Sequence, residues 1–175
     1  YTIASGHFTN DAYLDIAIAT YAGSTVSWYK NNGDGTFATK IALEATGSAA
    51  LSYIESITVA DINRDGNDDI LATSYSKNNG DDTFLPAVLI SGGINGAGNV
   101  LTANIDNDAN GYLDIIVSEY AGNKVSYFLG NGDGTFGIKR DVFAPITGSG
   151  PGAFDIADFD DDGDLDIAVA LVGKS

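Results

Sequence analysis

The sequence contains few of the residues that most often carry protein chemistry. Among 175 residues there is no cysteine and a single histidine. The missing thiols exclude disulfide bonds and cysteine nucleophiles, and zinc sites, which need several nitrogen or sulfur ligands, are nearly excluded too. Basic residues are also scarce, since 8 Lys and Arg stand against 24 Asp and Glu, for a net charge of −16. Such an acidic surface repels phosphate backbones and anionic lipids, so we expect no nucleic-acid partner.

Amphipathic helical patterns and long apolar runs are missing as well. No stretch repeats apolar residues at i, i+3 and i+4, and none approaches the roughly 20 apolar residues that cross a bilayer, so we expect no membrane insertion. Of the 24 acidic residues only three are Glu, and Asp favours turns over helices. What recurs is a short alternating apolar run, seen as DIAIATY, DILATSY, DIIVSEY and DIAVALV. These runs predict an all-β protein.

The alternating runs belong to an internal repeat of about fifty residues. They begin at Asp15, Asp69, Asp114 and Asp166, so their spacings are 54, 45 and 52 residues. A second marker recurs as NNGDGTF, NNGDDTF and GNGDGTF, here called glycine turns 1, 2 and 3 (31–37, 78–84 and 130–136). Asn-Gly and Asp-Gly between strands are strong hairpin signals. The repeat therefore predicts four-stranded units of the length of a β-propeller blade.

This parse makes the whole chain, 1–175, one propeller-type repeat domain. Its units cover about 1–50, 51–98, 99–147 and 148–175. The second unit is short, because Asp69 lies nine residues before its NNG whereas Asp15 lies sixteen before the first. We expect that unit to lack most of its third strand or to merge it with the second. The fourth unit contains only two strands, which gives about three and a half blades, too few to close a ring without a partner.

Three loops share the pattern D-x-[DN]-x-[DN]-G-x-x-D and are here called aspartate loops 2, 3 and 4 (61–69, 106–114 and 158–166). Side chains at positions 1, 3, 5 and 9 and the backbone carbonyl at position 7 would surround a cation, while Gly at position 6 permits the sharp turn. Hard oxygen ligands on a flexible loop favour Ca²⁺ over Mg²⁺, so we expect about three calcium ions. The alternative is that these residues simply form hairpin turns. The predicted ligands are Asp61, Asn63, Asp65, Asn67 and Asp69; Asp106, Asp108, Asn110, Tyr112 and Asp114; and Asp158, Asp160, Asp162, Asp164 and Asp166.

Two comparisons limit the calcium interpretation. An EF-hand requires a bidentate Glu at position 12, where this chain has Ala72, Val117 and Val169, and its flanks are helices. The corresponding loop of the first unit, aspartate loop 1 (7–15), is degenerate. It reads His7, Thr9, Asp11 and Asp15 at positions 1, 3, 5 and 9 and lacks the Gly. We expect it to be empty or held by hydrogen bonds alone.

The segments DFDDDGDLDIAVA (158–170) and VSYFLGNGDGTF (125–136) resemble the FG-GAP/VCBS repeat. This repeat is the calcium-loop blade of integrin α-chain propellers and of many secreted bacterial and fungal proteins. The resemblance covers nearly the whole chain. It implies a β-propeller with calcium in the loop between the first two strands of a blade, and with ligands bound on the opposite face or between blades.

Binding is a better interpretation of these residues than catalysis. His7 has no thiol partner and no Ser lies in a nucleophile motif, although residue types alone leave a two-carboxylate glycosidase open. Tyr21, Tyr75 and Tyr120 each lie six residues after a position-9 Asp and are candidate ligand-binding residues. They offer a flat apolar ring with a polar tip, yet they equally suit packing between blades. For Trp28 we favour a place in the core.

Three functions remain open. The leading hypothesis is a non-enzymatic, calcium-binding recognition or adhesion module at an extracellular location or cell surface, with a glycan or protein as its ligand. The second is a structural protomer that self-associates into an extracellular filament or layer through open blade edges. The third is the accessory propeller of a larger secreted hydrolase.

Overall fold

A computed structural model describes most of the chain, and every regular element in the described part is a β-strand. No helix in that part is long and apolar enough to cross a membrane. The strands form four antiparallel sheets that follow one another along the chain. By contacts they fall into two compact units, Tyr1–Ile90 and Ser91–Ser175. The described residues are 1–20, 25–43, 54–72, 74–86, 88–90, 94–143 and 149–173.

The first sheet contains four strands in sequence order. They are β1 (Thr2–Gly6), β2 (Asp15–Thr20), β3 (Thr25–Tyr29) and β4 (Ile41–Leu43). Every second residue of β2 is buried, as its alternating sequence predicts. Glycine turn 1 joins β3 towards β4 and closes with a bridge between Asn31 and Phe37. Its two glycines have φ of 76° and 86°, which side-chain-bearing residues rarely adopt.

The second sheet also has four strands, which corrects the expectation about its third strand. They are β5 (Thr58–Ala60), β6 (Asp69–Leu71), β7 (Ser74–Ser76) and β8 (Val88–Leu89). The third strand, β7, is separate from β6 and pairs with it at Ile70↔Ser76 and Leu71↔Tyr75. The second repeat unit is short because both strands are shortened. β6 and β7 have three residues each, whereas β2 and β3 have six and five.

An aromatic cluster forms the centre of the first unit. The ring of Phe8 lies 6.0 Å from Trp28 and 5.6 Å from Phe84, and the last two lie 5.8 Å apart. Phe8 and Trp28 are 0% and 1% exposed, and Ala17, Ile54 and Ile70 complete the same core. The core position expected for Trp28 is therefore confirmed.

The second unit contains the third sheet and a two-stranded sheet. The third sheet consists of β9 (Ala97–Ala103), β10 (Asp114–Glu119), β11 (Lys124–Phe128) and β12 (Arg140–Asp141). β13 (Ser149–Ala157) pairs with β14 (Asp166–Gly173). All six residues of β10 are buried, and Ile116, Val125 and Phe154 form a core cluster between the two sheets.

The buried end of β10 carries a carboxylate that the sequence analysis did not single out. Glu119 is 0% exposed. It accepts hydrogen bonds from the backbone N–H of Asn95 at 2.7 Å and from the hydroxyl of Ser126, and it pairs with Lys139 at 3.1 Å. Since a buried charge is costly unless it is paired and hydrogen-bonded, this network explains why an acid is tolerated in the core.

Candidate metal centre

Each aspartate loop joins the first two strands of its sheet, and loop 4 comes closest to a cation site. Carboxylate oxygens of Asp158, Asp160 and Asp166 all lie within 4.8 Å of one another at the surface. Asp158 accepts backbone hydrogen bonds from Asp162 at 3.1 Å and from Gly163 at 2.9 Å. Three like charges this close repel one another, so a divalent cation would relieve the repulsion. The hard oxygen donors of this loop fit Ca²⁺.

Aspartate loop 2 has the same backbone conformation as loop 4. Asp61 accepts the backbone N–H groups of Asp65 at 3.0 Å and Gly66 at 2.9 Å, as Asp158 does in loop 4. Both loops have positive φ at positions 4 and 6, which are Arg64 and Gly66 here. The side chains differ, because the position-5 carboxylate of Asp65 pairs with Lys77 at 3.0 Å.

Aspartate loop 3 folds differently. Its left-handed residues are Asn107 at position 2 and Gly111 at position 6, with φ of 50° and 64°. Asp108 accepts the N–H of Gly111 at 2.9 Å, so the hydrogen bonds centre on position 3 and not on position 1. Among the described residues, loop 4 alone brings three carboxylates together. The predicted ligands of loops 2 and 3 lie in their loops but do not form such a cluster.

The position-9 aspartate connects each full sheet's aspartate loop to its glycine turn. One oxygen accepts the N–H of position 2, as Asp15 does from Phe8 at 3.1 Å. The other accepts the N–H of the residue that opens the glycine turn, which is Asn31 for Asp15 at 2.8 Å. Asp69 makes the equivalent pair of bonds. Asp114 differs on one side, because it accepts the N–H of Ile105, the residue before position 1 of its loop, together with that of Gly130. All three aspartates are at most 2% exposed.

This structural role was missed by sequence reasoning, which treated position 9 as a metal ligand. The sequence contained a signal for this role. Loop 1 has His7 in place of an aspartate at position 1 and yet keeps Asp15 at position 9. In loop 3 burial raises the pKa of Asp114, and the nearby charge of Asp106 acts in the same direction, against backbone hydrogen bonds that lower it. In loop 4, Asp166 keeps the bond from Phe159 at 3.1 Å and lies at the surface.

The side chain at position 7 covers the first glycine of the adjacent turn. A Cβ added to Gly33 would lie 2.2 Å from the ring of Tyr13, and one added to Gly132 would lie 2.3 Å from Tyr112. In the second sheet the corresponding contact is between Asn67 and Gly80. Aspartate loop and glycine turn are therefore packed together as one surface.

Aspartate loop 1 is held by an ion pair as well as by hydrogen bonds. Lys30 lies 3.4 Å from Asp11 at position 5 and 3.0 Å from Asp82 of glycine turn 2. The backbone N–H of His7 donates to Asp68 at 2.8 Å, which links loop 1 to loop 2. The hydrogen bonds were expected from the sequence, whereas the lysine was not.

Of the three tyrosines predicted to bind a ligand, the structure describes the side chain of one, Tyr120. Tyr21 and the side chain of Tyr75 lie outside the described residues. Tyr120 is 40% exposed, and its ring lies 2.6 Å from where a Cβ of Gly150 would be. It therefore packs on β13 with one part of its surface and offers the rest to solvent.

A cavity of about 240 Å³ in the first unit was not predicted. Its wall is mainly apolar, with Asp82 and Thr83 as its polar residues. The indole Nε1 of Trp28, one of the lining residues, has no hydrogen-bond partner among the described residues. The lining residues are Trp28, Ile41, Ala42, Leu43, Asp82, Thr83, Phe84, Leu85 and Pro86.

A family model described as the FG-GAP-like repeat matches residues 7–72 and 106–169, which is most of the chain. The chain belongs to the FG-GAP-like repeat family. Each matched segment of this FG-GAP-like chain contains two aspartate loops, so the sequence resemblance is confirmed. No curated protein is significantly similar to the sequence.

The FG-GAP-like chain is also similar to a solved lectin structure from Agrocybe aegerita. That lectin is described as specifically recognising non-reducing terminal N-acetylglucosamine. The two are 25% identical with a TM-score of 0.60, over 94% of this chain and 46% of the lectin chain. The chain thus spans a little under half the length of that lectin. The likeness confirms the expected fold class, an all-β protein built from blade-like sheets.

Proposed function

We propose that this FG-GAP-like repeat protein is a non-enzymatic, calcium-binding recognition module that acts outside the cell and binds a glycan. The observation that carries the proposal is aspartate loop 4, where three carboxylates converge on one point of a loop pre-shaped by backbone hydrogen bonds. An extracellular location fits, because calcium-binding loops of modest affinity fill where calcium is abundant.

Calcium in loops 2, 3 and 4 would neutralise part of the acidic surface. Three ions add six positive charges to a net charge of −16. For calcium binding, the chain supplies the conformation of the loops. The position-9 carboxylates and the position-6 glycines hold the oxygen donors in place. The single histidine and the absence of cysteine support a binding role over catalysis.

The glycan is supported by the similarity to the lectin and by the cavity of the first unit. Sugar sites combine apolar surface with a few polar groups, and the cavity offers Leu85 and Pro86 beside the carboxylate of Asp82. Its volume, about 240 Å³, is smaller than the roughly 300 Å³ at which drug-sized pockets begin, so it suits a single sugar ring. Tyr120 is the second surface to test.

The test is binding of the labelled chain to a glycan array, with calcium and with a chelator. We expect binding to N-acetylglucosamine-terminated or related glycans in calcium and its loss on chelation. Leu85→Ser should weaken binding if the cavity holds the sugar, and Tyr120→Ala should do so if the candidate tyrosines hold it. Ile138→Ser is the matched control, because Ile138 is 79% exposed and lies outside the cavity. If the calcium-bound chain binds no glycan on the array, the proposal that its ligand is a glycan is contradicted.

One observation favours the alternative of a filament protomer. In the described residues β14 pairs only with β13, and its exposed edge region includes Leu171 and Val172, which are 47% and 49% exposed. Unpaired strand edges recruit partner strands. Light scattering after size-exclusion chromatography distinguishes the two functions. Particles of 18.1 kDa support the recognition module, and a polymer that dissociates on Val172→Lys supports the filament.

A further inference from the structure

The lysine that precedes a glycine turn reaches into the aspartate loop of the same sheet, twice in the first unit. Lys30 Nζ lies 3.4 Å from Asp11 Oδ2, and Lys77 Nζ lies 3.0 Å from Asp65 Oδ2. Both lysines directly precede the asparagine that opens the turn, and both aspartates are at position 5 of their loops. The repeat therefore places an ammonium group at the same loop position in both sheets.

The third sheet lacks this lysine. Its residue in the same register is Leu129, since the next residue, Gly130, donates to Asp114 just as Asn78 donates to Asp69. Loop 4 has no described ion pair with a lysine at all. The four loops thus differ in whether a cation of the chain itself stands at position 5.

We propose that Lys77 competes with calcium for Asp65 and so makes loop 2 a weaker calcium site than it would be without the lysine. This inference rests on the calcium binding proposed above. A carboxylate that holds an ammonium at 3.0 Å must release it, or share its oxygens with it, when a divalent cation arrives. A calcium ion bound at the same carboxylate would repel the ammonium group of Lys77, so the lysine lowers the affinity of the loop for calcium.

Lys30 has the same position but a different consequence. It is held by Asp82 at 3.0 Å in addition to Asp11, and loop 1 offers His7 and Thr9 where the other loops have an acid at position 1 and an acid or amide at position 3. Calcium cannot displace it with so few donors. Lys30 therefore takes the place of the metal in loop 1, while Lys77 only weakens the site in loop 2.

The experiment is a calcium titration of the full chain followed by the backbone amide signals of Gly66 and Gly163 in ¹⁵N NMR spectra. Gly66 reports loop 2 and Gly163 reports loop 4. In Lys77→Gln we expect the midpoint for Gly66 to fall by about 3- to 5-fold, the range of a partly exposed ion pair, while that for Gly163 stays unchanged. Lys77→Leu, which copies Leu129 of the third sheet, should act in the same direction.

Lys40→Gln is the matched control, because it removes the same charge from an exposed lysine. Equal shifts of the Gly66 midpoint in Lys40→Gln and Lys77→Gln would overturn the inference in favour of a general charge effect. So would a Gly66 midpoint that Lys77→Gln does not move, or a Gly66 signal that never responds while Gly163 does. If neither glycine responds in the unmodified chain, the proposed calcium binding itself fails.

A second measurement compares the melting temperatures of Lys77→Gln and the unmodified chain, first without and then with calcium. In chelator, Lys77→Gln should lower the melting temperature slightly, because an ion pair is lost. In saturating calcium that difference should vanish or reverse, because the competitor has been removed. A loss of equal size under both conditions would assign Lys77 a purely structural role and overturn the inference.

Discussion

At the scale of single residues, the position-9 aspartate shows how one carboxylate holds two segments of a sheet. Asp15 receives N–H groups from Phe8 on one oxygen and from Asn31 on the other, and it is 0% exposed. Loop 1 keeps this residue although its remaining pattern has degenerated. The role that position 9 shares in all four loops of this chain is therefore hydrogen bonding to backbone N–H groups. Metal binding in loops 2 to 4 belongs to the proposed function.

Asp15→Asn should lower the free energy of unfolding by about 1 to 3 kcal/mol, because the amide nitrogen would face a buried backbone N–H. The loss should be the same with calcium and with chelator, since loop 1 is not a predicted metal site. Urea denaturation under both conditions measures it. Asp155→Asn, at an exposed position of β13, is the control. A loss confined to calcium buffer would show that loop 1 binds metal after all.

The glycine turns contain aspartates whose pKa the turn itself shifts. Hydrogen bonds from the hydroxyl and the backbone N–H of Thr36 hold the pKa of Asp34 below its usual 3.8, and Thr135 does the same for Asp133. The hydroxyl bonds are 2.6 Å long in both turns. Because the pKa is lower in the folded chain than in the unfolded chain, these bonds stabilise the fold above pH 3.8. The stabilisation is lost as pH falls through the folded value.

Thr36→Val should raise the pKa of Asp34 towards 3.8 and leave that of Asp133 unchanged. The substitution removes the hydroxyl donor and keeps the backbone N–H. A pH titration of side-chain carboxyl ¹³C shifts by NMR measures both groups in one sample. An Asp34 titration that Thr36→Val does not move would show that the hydroxyl bond is not formed in solution.

At the scale of elements, one sequence pattern gives two loop conformations. Loops 2 and 4 place their left-handed residues at positions 4 and 6, whereas loop 3 uses Asn107 at position 2 together with Gly111. Asparagine tolerates positive φ better than most residues, and this offers a local reason for the change. The pattern predicted the loops and the turn glycine at position 6, which has positive φ in all three. It could not predict which loop would bring its carboxylates together.

Asp160→Asn should weaken calcium binding at loop 4 by at least about 10-fold, because it removes one of three converging charges. Asp161→Asn provides the matched control, with the same change of charge one residue further along and outside the cluster. Isothermal titration calorimetry with calcium measures both. Equal losses in the two variants would mean that net loop charge, and not the three-carboxylate geometry, determines affinity.

At the scale of the whole molecule, the balance of charge opposes the folded state. A chain of net charge −16 concentrates its carboxylates in loops at the ends of strands, and their mutual repulsion is relieved by a bound cation. The two compact units each contain two aspartate loops, so calcium should act on both. A cation that binds only the folded state stabilises that state by mass action.

Calcium should raise the melting temperature by about 5 to 10 °C at a hundredfold excess over the dissociation constant, since that excess is worth about 2.7 kcal/mol for one site. Calorimetry in chelator and in increasing calcium measures the shift. Sodium chloride at matched ionic strength is the control for screening. If the salt reproduces the whole effect, the stabilisation is general screening and not binding.

Sequence by itself determined the features that depend on neighbours along the chain. Strand alternation, the Asn-Gly and Asp-Gly turns and the nine-residue loop pattern are local, so the all-β class, the repeat and the family resemblance could all be predicted. The second sheet marks the limit of this reasoning, because the short spacing showed that residues were missing but not that β6 and β7 would both be shortened.

Only the tertiary structure decided which groups meet across the chain. Asp15 and Asn31 are separated by 16 residues, and Lys30 and Asp82 by 52, so no local pattern links them. The same holds for the cavity beside Trp28 and for the buried Glu119 with its lysine. These contacts arise because packing brings distant segments together, and buried polar groups must then find hydrogen-bond partners in those segments. The pattern of one short segment of sequence does not show which distant segment will pack against it.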